Sequence, residues 1–288
     1  MATIAFVVHP ANPEAPTIAA RAERWLVDRG HAVVRVTDDE DGAARPRFAE
    51  GLDLAVSLGG DGTMLRTVAL ACAPGIPVLG VNLGRLGYLT EVEPSGVEAA
   101  LERFLAGDYV VEERITLEVD IESGPPGVPP ASATGGRPVA TAVVLNEAVV
   151  EKTAPGHTIR VRASIGGRPL ATYAADGLLV ATPTGSTAYN LSARGPILSP
   201  GLRAIVLTPV SAHMLFDRPV VLEPEQWVRL DIEGPRPAVL VLDGETAQTL
   251  EPGDAVVCRV GPTPARFVTF GPRDFFSILR ARFHLADR

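Results

Sequence analysis

Asp53-Leu54-Ala55-Val56-Ser57-Leu58-Gly59-Gly60-Asp61-Gly62-Thr63 is an apolar run ending in a glycine loop, and Met64–Leu70 continues it with helix-like spacing. The stretch reads as strand, loop, helix. Backbone N–H groups converge at such a junction, glycine lets a ligand come close, and the helix N-terminus favours an anion. Gly59, Gly60, Gly62 and Thr63 are therefore the expected phosphate-binding residues. Asp61 is the unusual member: a carboxylate repels bare phosphate, so it either holds a metal ion or accepts a proton. Phosphoryl transfer follows as the chemistry. The competing reading is a structural corner with Asp61 as turn former and Thr63 as helix N-cap. Neither the Walker nor the dinucleotide fingerprint fits this frame. Lys152 is the sole lysine of the chain, so arginine, backbone amides and a divalent cation must neutralise any bound phosphates.

Outward from this loop, the first hundred residues alternate strand and helix. Thr3–Val8, Ala32–Val36, Leu54–Leu58 and Pro77–Val81 read as strands, and Thr17–Asp28, Met64–Cys72 and Val97–Leu105 as helices. Alternation of this kind predicts a parallel, Rossmann-like sheet covered by helices, with ligands at the carboxyl ends of its strands. A second glycine-bearing loop, Asn82–Tyr88, is expected on the same edge. From about Tyr109 the pattern changes to short period-2 strands, including Thr116–Glu122, Thr158–Ile165, Trp227–Ile232, Ala238–Leu242 and Ala255–Val260. These predict a mainly β, sandwich-like domain. The expected division is an α/β domain over 1–108 and an all-β domain over 109–273. The tail, 274–288, is expected to pack back on the first domain as a short helix. Ser123–Pro138, rich in Gly, Pro, Ser and Ala, reads as a hairpin loop.

Composition narrows the function classes. The 288 residues are 46% apolar and carry a net charge of −8, which argues against nucleic acid as a partner. No run approaches the ~18–20 apolar residues of a membrane span. Ile4–Val8 lacks a preceding basic residue and stops at Pro10, so it reads as a first strand rather than a signal peptide. Two distant cysteines, Cys72 and Cys258, give no disulfide framework and make a reducing cytoplasm the expectation. Arginine supplies 25 of the 26 basic residues, which we read as a composition bias. His213 lies in a Pro- and Ser-containing loop, where contact with a ligand competes with a plain packed or exposed role.

Two further constellations lie in the second half. Asn146-Glu147 sits in an otherwise apolar strand, Thr141–Val150. A buried unpaired carboxylate costs several kcal/mol, so Glu147 must be paired, exposed at a strand end, or bonded to a ligand. Side by side, the two suit a ribose diol or a base edge. Farther on, Asp176-Gly177 leads through an apolar strand to Thr182-Pro183-Thr184-Gly185-Ser186-Thr187-Ala188-Tyr189. Five of those last eight residues carry hydroxyls. That density suits a nucleotide, with Tyr189 as a ring to pack on; the alternative is a turn that satisfies itself.

Together these segments resemble the NAD kinase family: Gly59–Thr63, Asn82–Thr90, Asn146-Glu147, Asp176–Tyr189, Ser192–Ile197 and Asp243-Gly244, in order along nearly the full chain. The glycine–aspartate loop is shared with lipid kinases and phosphofructokinases; the hydroxyl block and Asn-Glu pair are more specific. The resemblance implies phosphorylation of the 2′-hydroxyl on the adenosine ribose of NAD, giving NADP, with ATP or polyphosphate as donor and Mg²⁺ or another divalent cation as cofactor. It makes Asp61 the general base. It assigns Asp61, Gly62, Tyr88, Asn146, Glu147, Asp176, Thr187, Ala188, Tyr189 and Ser192 to NAD, with Asp176 at the nicotinamide and often at a subunit interface. A homodimer or homotetramer is implied as well.

Tyr88 stands where the family usually has Phe. Ala174-Ala175 precedes Asp176 where the family often has an arginine or another polar residue, which bears on NAD against NADH. Arg194-Gly195-Pro196 replaces Gly-Gly-Pro, and we expect Arg194 to face solvent. The alternatives are a lipid or other small-molecule kinase, which leaves the Asn-Glu pair without a purpose, and a non-catalytic NAD-binding regulator, which gives no reason for a carboxylate beside phosphates.

Overall fold

The predicted alternation appears as a six-stranded sheet in a computed structural model that describes residues 1–36, 51–84, 87–123, 140–272 and 274–285. Strands β1 (Thr3–Val8), β2 (Ala32–Val36), β3 (Leu54–Gly59) and β4 (Val78–Asn82) are mutually parallel in the order β2-β1-β3-β4. Strand order therefore reverses between β1 and β3, the switch point where such sheets bind ligands at their carboxyl ends. Helix α1 (Ala15–Val27) buries Ala15, Ile18, Ala19, Ala22 and Leu26, an i, i+3, i+4 stripe. Helix α3 (Val97–Leu105) buries Val97, Ala100, Leu101 and Phe104 in the same core, against Ile4, Phe6, Val8, Leu54, Val56 and Leu58. Residues of the opposite parity, Ala5, Val7, Ala55 and Ser57, are also fully buried. Both faces are thus covered, as a parallel sheet requires. Helix α2 (Asp61–Ala71) follows β3 directly.

The chain divides into two units, Met1–Arg114 with Thr263–Arg288, and Ile115–Pro262. These bounds differ from the 108 and 273 expected from the sequence. Strands β5 (Val110–Arg114) and β18 (Ala265–Thr269) pair antiparallel, and β18 pairs with β4, so both extend the first sheet. Alternation along a short strand shows which residues face inward but not which sheet the strand joins. The tail forms helix α4 (Phe275–Arg282), capped by the Asp274 side chain, which accepts from the N–H groups of Phe276 and Ser277.

The second unit is a sandwich of antiparallel sheets. One holds β6 (Leu117–Glu122), β7 (Ala140–Val144), β9 (Ile159–Ile165), β10 (Arg168–Ala175), β14 (Val228–Glu233) and β17 (Ala255–Val260). The other holds β8 (Glu147–Lys152), β11 (Gly177–Ala181), β12 (Ile205–Val210), β13 (Val220–Leu222), β15 (Ala238–Leu242) and β16 (Glu245–Leu250). Leu117, Val119, Val161, Leu230 and Val256 of the first meet Val150, Leu178, Val180, Leu207 and Leu240 of the second. Burying one such side chain stabilises by about 1.5–3 kcal/mol. Both expected fold classes, α/β and sandwich-like β, are borne out. The single strand expected over Thr141–Val150 is not: it breaks at Leu145-Asn146, with β7 in one sheet and β8 in the other. From residue 124 on, the expected hairpin loop lies outside the described residues.

Candidate active site

In the first unit, β3 ends at Gly59 and α2 starts at Asp61, with extended Gly60 (φ −100°, ψ −163°) as its N-cap. Thr63 is therefore inside the first turn and is not the cap. Gly60 has no side chain to offer, so the leading N–H groups of α2 stay open to an anion. A Cβ at residue 59 would collide with the Thr63 side chain, which fixes glycine there.

The Asp61 carboxylate is braced by the second glycine loop. Its Oδ2 accepts the Tyr88 N–H at 3.1 Å, and Oδ1 accepts the Leu89 N–H at 3.1 Å. Gly87 makes this approach possible, since a Cβ there would strike Oδ1. Leu83 N–H donates to Gly59 O at 3.0 Å, so the two glycine loops meet along the carboxyl edge of the sheet, as expected. Arg85 and Leu86 of this loop lie outside the described residues. From α4, Arg282 Nη2 lies 3.5 Å from Asp61 Oδ2, and its guanidinium stands 4.5 Å from the Tyr88 ring centroid. The Asp61 side chain keeps 30% exposure, so a substrate hydroxyl can reach a carboxylate whose orientation is already fixed.

In the second unit, the Leu145-Asn146 corner is pinned from below. The Asp243 carboxylate accepts N–H groups from Leu145 (2.8 Å), Asn146 (2.7 Å) and Glu147 (3.1 Å). Asp243 (φ 48°) and Gly244 (φ 86°) make the two-residue turn between β15 and β16, both with positive φ, as a type I′ hairpin needs. Thr182 grips the same corner: its N–H donates to Asn146 O at 2.9 Å and its hydroxyl to Leu145 O at 2.5 Å. A Cβ at Gly185 would collide with the Asn146 carbonyl, so the loop lies directly on the corner.

Glu147 is 5% exposed and its Oε2 is buried without a protein partner. Burial pushes its carboxyl up to about 8, the nearby Asp243 adds to this, and a backbone hydrogen bond from Tyr189 opposes it. Burial also raises the Asp243 carboxyl, against the three backbone donors. A neutral Glu147 can donate as well as accept, which suits a sugar hydroxyl.

The hydroxyl block is more self-contained than its density implied. Thr182 is spent on Leu145, and Ser186 donates to Pro183 O at 2.6 Å and accepts the Leu198 N–H at 2.9 Å. Thr187 donates to Thr184 O at 3.3 Å. Three of the five hydroxyls thus shape the loop, and Thr184 Oγ1 is buried without a protein partner. Tyr189, 37% exposed, heads a single helical turn, Tyr189–Ser192, and burial followed by the charges of Glu151, Asp176 and Glu147 raises its phenol. Tyr189, Ser192 and Arg194 line a cavity of about 520 Å³ with Val210, Asp217 and Arg218. Asp176 is paired with Lys152 Nζ at 2.7 Å. Arg194 is exposed, as expected, and His213 is exposed with its N–H bonded to Ala174 O at 2.7 Å.

Models of the ATP-NAD kinase N-terminal and C-terminal domains match residues 34–109 and 145–270. An NAD kinase of Heliobacterium modesticaldum is 43% identical, with 98% of each chain covered. The chain belongs to the NAD kinase family. The NAD kinase of Geotalea daltonii is 35% identical over the whole of both chains. Among solved structures, an NAD kinase from Archaeoglobus fulgidus in complex with ATP matches at TM-score 0.73 and 25% identity, covering 97% of this chain and 98% of that one. Yeast NADH kinase complexed with NADH matches in fold at TM-score 0.87 and 23% identity, covering 100% and 89%.

Within this NAD kinase, the site residues read from sequence fall into two groups. Gly59, Gly60, Asp61, Gly62, Thr63 and Tyr88 gather in the first unit; Asn146, Glu147, Asp176, Thr187, Ala188, Tyr189 and Ser192 gather in the second. Asp243, Gly87 and Arg282 were not among them. The Asp243-Gly244 dipeptide does announce a hairpin, but nothing local announces a carboxylate that organises a corner a hundred residues upstream. Among the described residues no three His, Cys, Asp or Glu side chains converge as a metal site.

Proposed function

We infer that the chain phosphorylates NAD: it transfers a phosphoryl group from ATP or polyphosphate to the 2′-hydroxyl of the adenosine ribose, forming NADP. The observation that carries this is the Asp61 carboxylate, held at the open start of α2 by the amides of Tyr88 and Leu89. In this reading Asp61 takes the hydroxyl proton. Gly59, Gly60, Gly62 and Thr63 bind the donor phosphates through backbone N–H groups. Tyr88, Asn146, Glu147, Asp176, Thr187, Ala188, Tyr189 and Ser192 hold NAD, with Gly62 beside the acceptor. Asn146 and a neutral Glu147 suit the ribose hydroxyls.

The described residues offer no ready-made cation cage. Mg²⁺ fits as the counter-ion of the donor's own phosphates, with water completing its coordination. Bound so, it would offset phosphate charge. No described helix is long and apolar enough to cross a membrane. We propose a cytoplasmic homodimer or homotetramer, testable by sedimentation.

The test is NADP formation by the purified protein with NAD, ATP and Mg²⁺, beside Asp61→Asn. Turnover that falls at least a hundredfold in the variant, with NAD still bound, supports the base. Near-normal turnover in Asp61→Asn removes it from that role, and a silent wild type with NAD bound points to the regulator.

A further inference from the structure

Loose phosphoryl-transfer transition states carry their charge on the transferred group's oxygens, and positive groups aimed there give most of the protein's help. The chain's sole lysine, Lys152, is paired with Asp176. Asp61 adds a negative charge beside the phosphate loop. Among the described residues, a cation stands against that carboxylate from the far end of the chain: Arg282, in the last turn of α4.

We propose that Arg282 is a further catalytic residue, delivered by the C-terminal helix to stabilise the phosphoryl group during transfer. The proposal rests on the kinase reading above. Its guanidinium is 3.5 Å from Asp61 Oδ2, at the outer limit of a hydrogen bond, and is packed on the face of Tyr88 at 4.5 Å. One of its five N–H donors accounts for the Asp61 contact; a planar fork of this kind suits phosphate oxygens. A hydroxyl close enough to give its proton to Asp61 is within the guanidinium's reach, and so is the phosphorus it attacks. Helix α4 buries none of its residues, which leaves it free to follow the phosphates by a small shift. The step balances without covalent involvement of Arg282. The ribose O–H proton passes to Asp61, an O–P bond forms, the bond from the γ-phosphorus to its bridging oxygen breaks, and ADP leaves with that electron pair. Arg282 exchanges its loose Asp61 contact for the equatorial phosphoryl oxygens.

The test compares wild type, Arg282→Ala and Arg282→Lys by kcat and KM for ATP and NAD, with ATP affinity measured by calorimetry. The expected result is a kcat about a hundredfold lower in Arg282→Ala, KM for NAD changed less than threefold, and partial retention in Arg282→Lys. Guanidinium chloride, too dilute to unfold the protein, should restore part of the Arg282→Ala rate, whereas sodium chloride at equal ionic strength should not. An unchanged or raised kcat in Arg282→Ala overturns the proposal, and so does a loss that guanidinium fails to recover. A wild type that makes no NADP defeats the kinase reading itself, a separate failure.

Discussion

The carboxylate of Asp243 accepts the backbone N–H of Asn146 at 2.7 Å, across 97 positions of chain. With the Leu145 and Glu147 amides it forms a three-pronged anchor under the Asn-Glu corner. Asp243→Ala leaves three donors without their acceptor, and each buried orphan costs about 1–3 kcal/mol. We expect a loss of several kcal/mol by urea titration and NAD affinity reduced at least tenfold in whatever remains folded. A variant with wild-type affinity would show that the corner holds its shape without Asp243.

Gly87 tests the brace on Asp61 without touching the carboxylate. In Gly87→Ala the added methyl meets Asp61 Oδ1, and the carboxylate has to turn away. A misplacement of about 1 Å can cost 10²-fold in rate. We expect kcat to fall tenfold to a hundredfold while the melting temperature moves by a few degrees. Unchanged kcat would mean that the carboxylate's orientation is unimportant.

Glu147 links the site to pH. Its carboxyl is lifted to about 8 by burial, above an unfolded value near 4.3. The folded state therefore holds a proton that the unfolded state releases, and this contribution is complete below about pH 4 and lost as pH rises towards 8. The slope is at most about 1.4 kcal/mol per pH unit. Wild-type stability should decline from pH 5 to 8, and Glu147→Gln, neutral throughout, should decline less. Equal slopes in the two proteins would place the titrating group elsewhere.

Thr182 and Thr184 separate shape from spare capacity in the hydroxyl block. Thr182→Val breaks the bonds to Leu145 O and from the Gly185 N–H, and should cost about 1–3 kcal/mol. Thr184→Val removes a hydroxyl with no protein partner and should be neutral or slightly stabilising. If Thr184→Val keeps its stability but loses NAD affinity, the hydroxyl belongs to the ligand. Equal destabilisation by both variants would contradict the assigned roles.

The sequence by itself determined what is local. Period-2 and helical spacing placed β1 through β4 and α1 through α3 to within a few residues, because burial on one face repeats along a segment. The glycine–aspartate junction likewise marked the end of a strand and the start of a helix, since strand, glycine and helix start are contiguous there. Only the tertiary structure decided which sheet β5, β7 and β18 joined, since a short strand's pattern is compatible with any edge. It also decided that Leu145-Asn146 is a corner between two strands, with Glu147 opening the second, and that three hydroxyls of the Thr182–Tyr189 loop are already spent. Asp243 beneath Asn146, Gly87 behind Asp61 and Arg282 over Tyr88 are contacts between distant segments. Their energies come from hydrogen bonds and close packing that exist only once the chain has folded, and no local spacing encodes them.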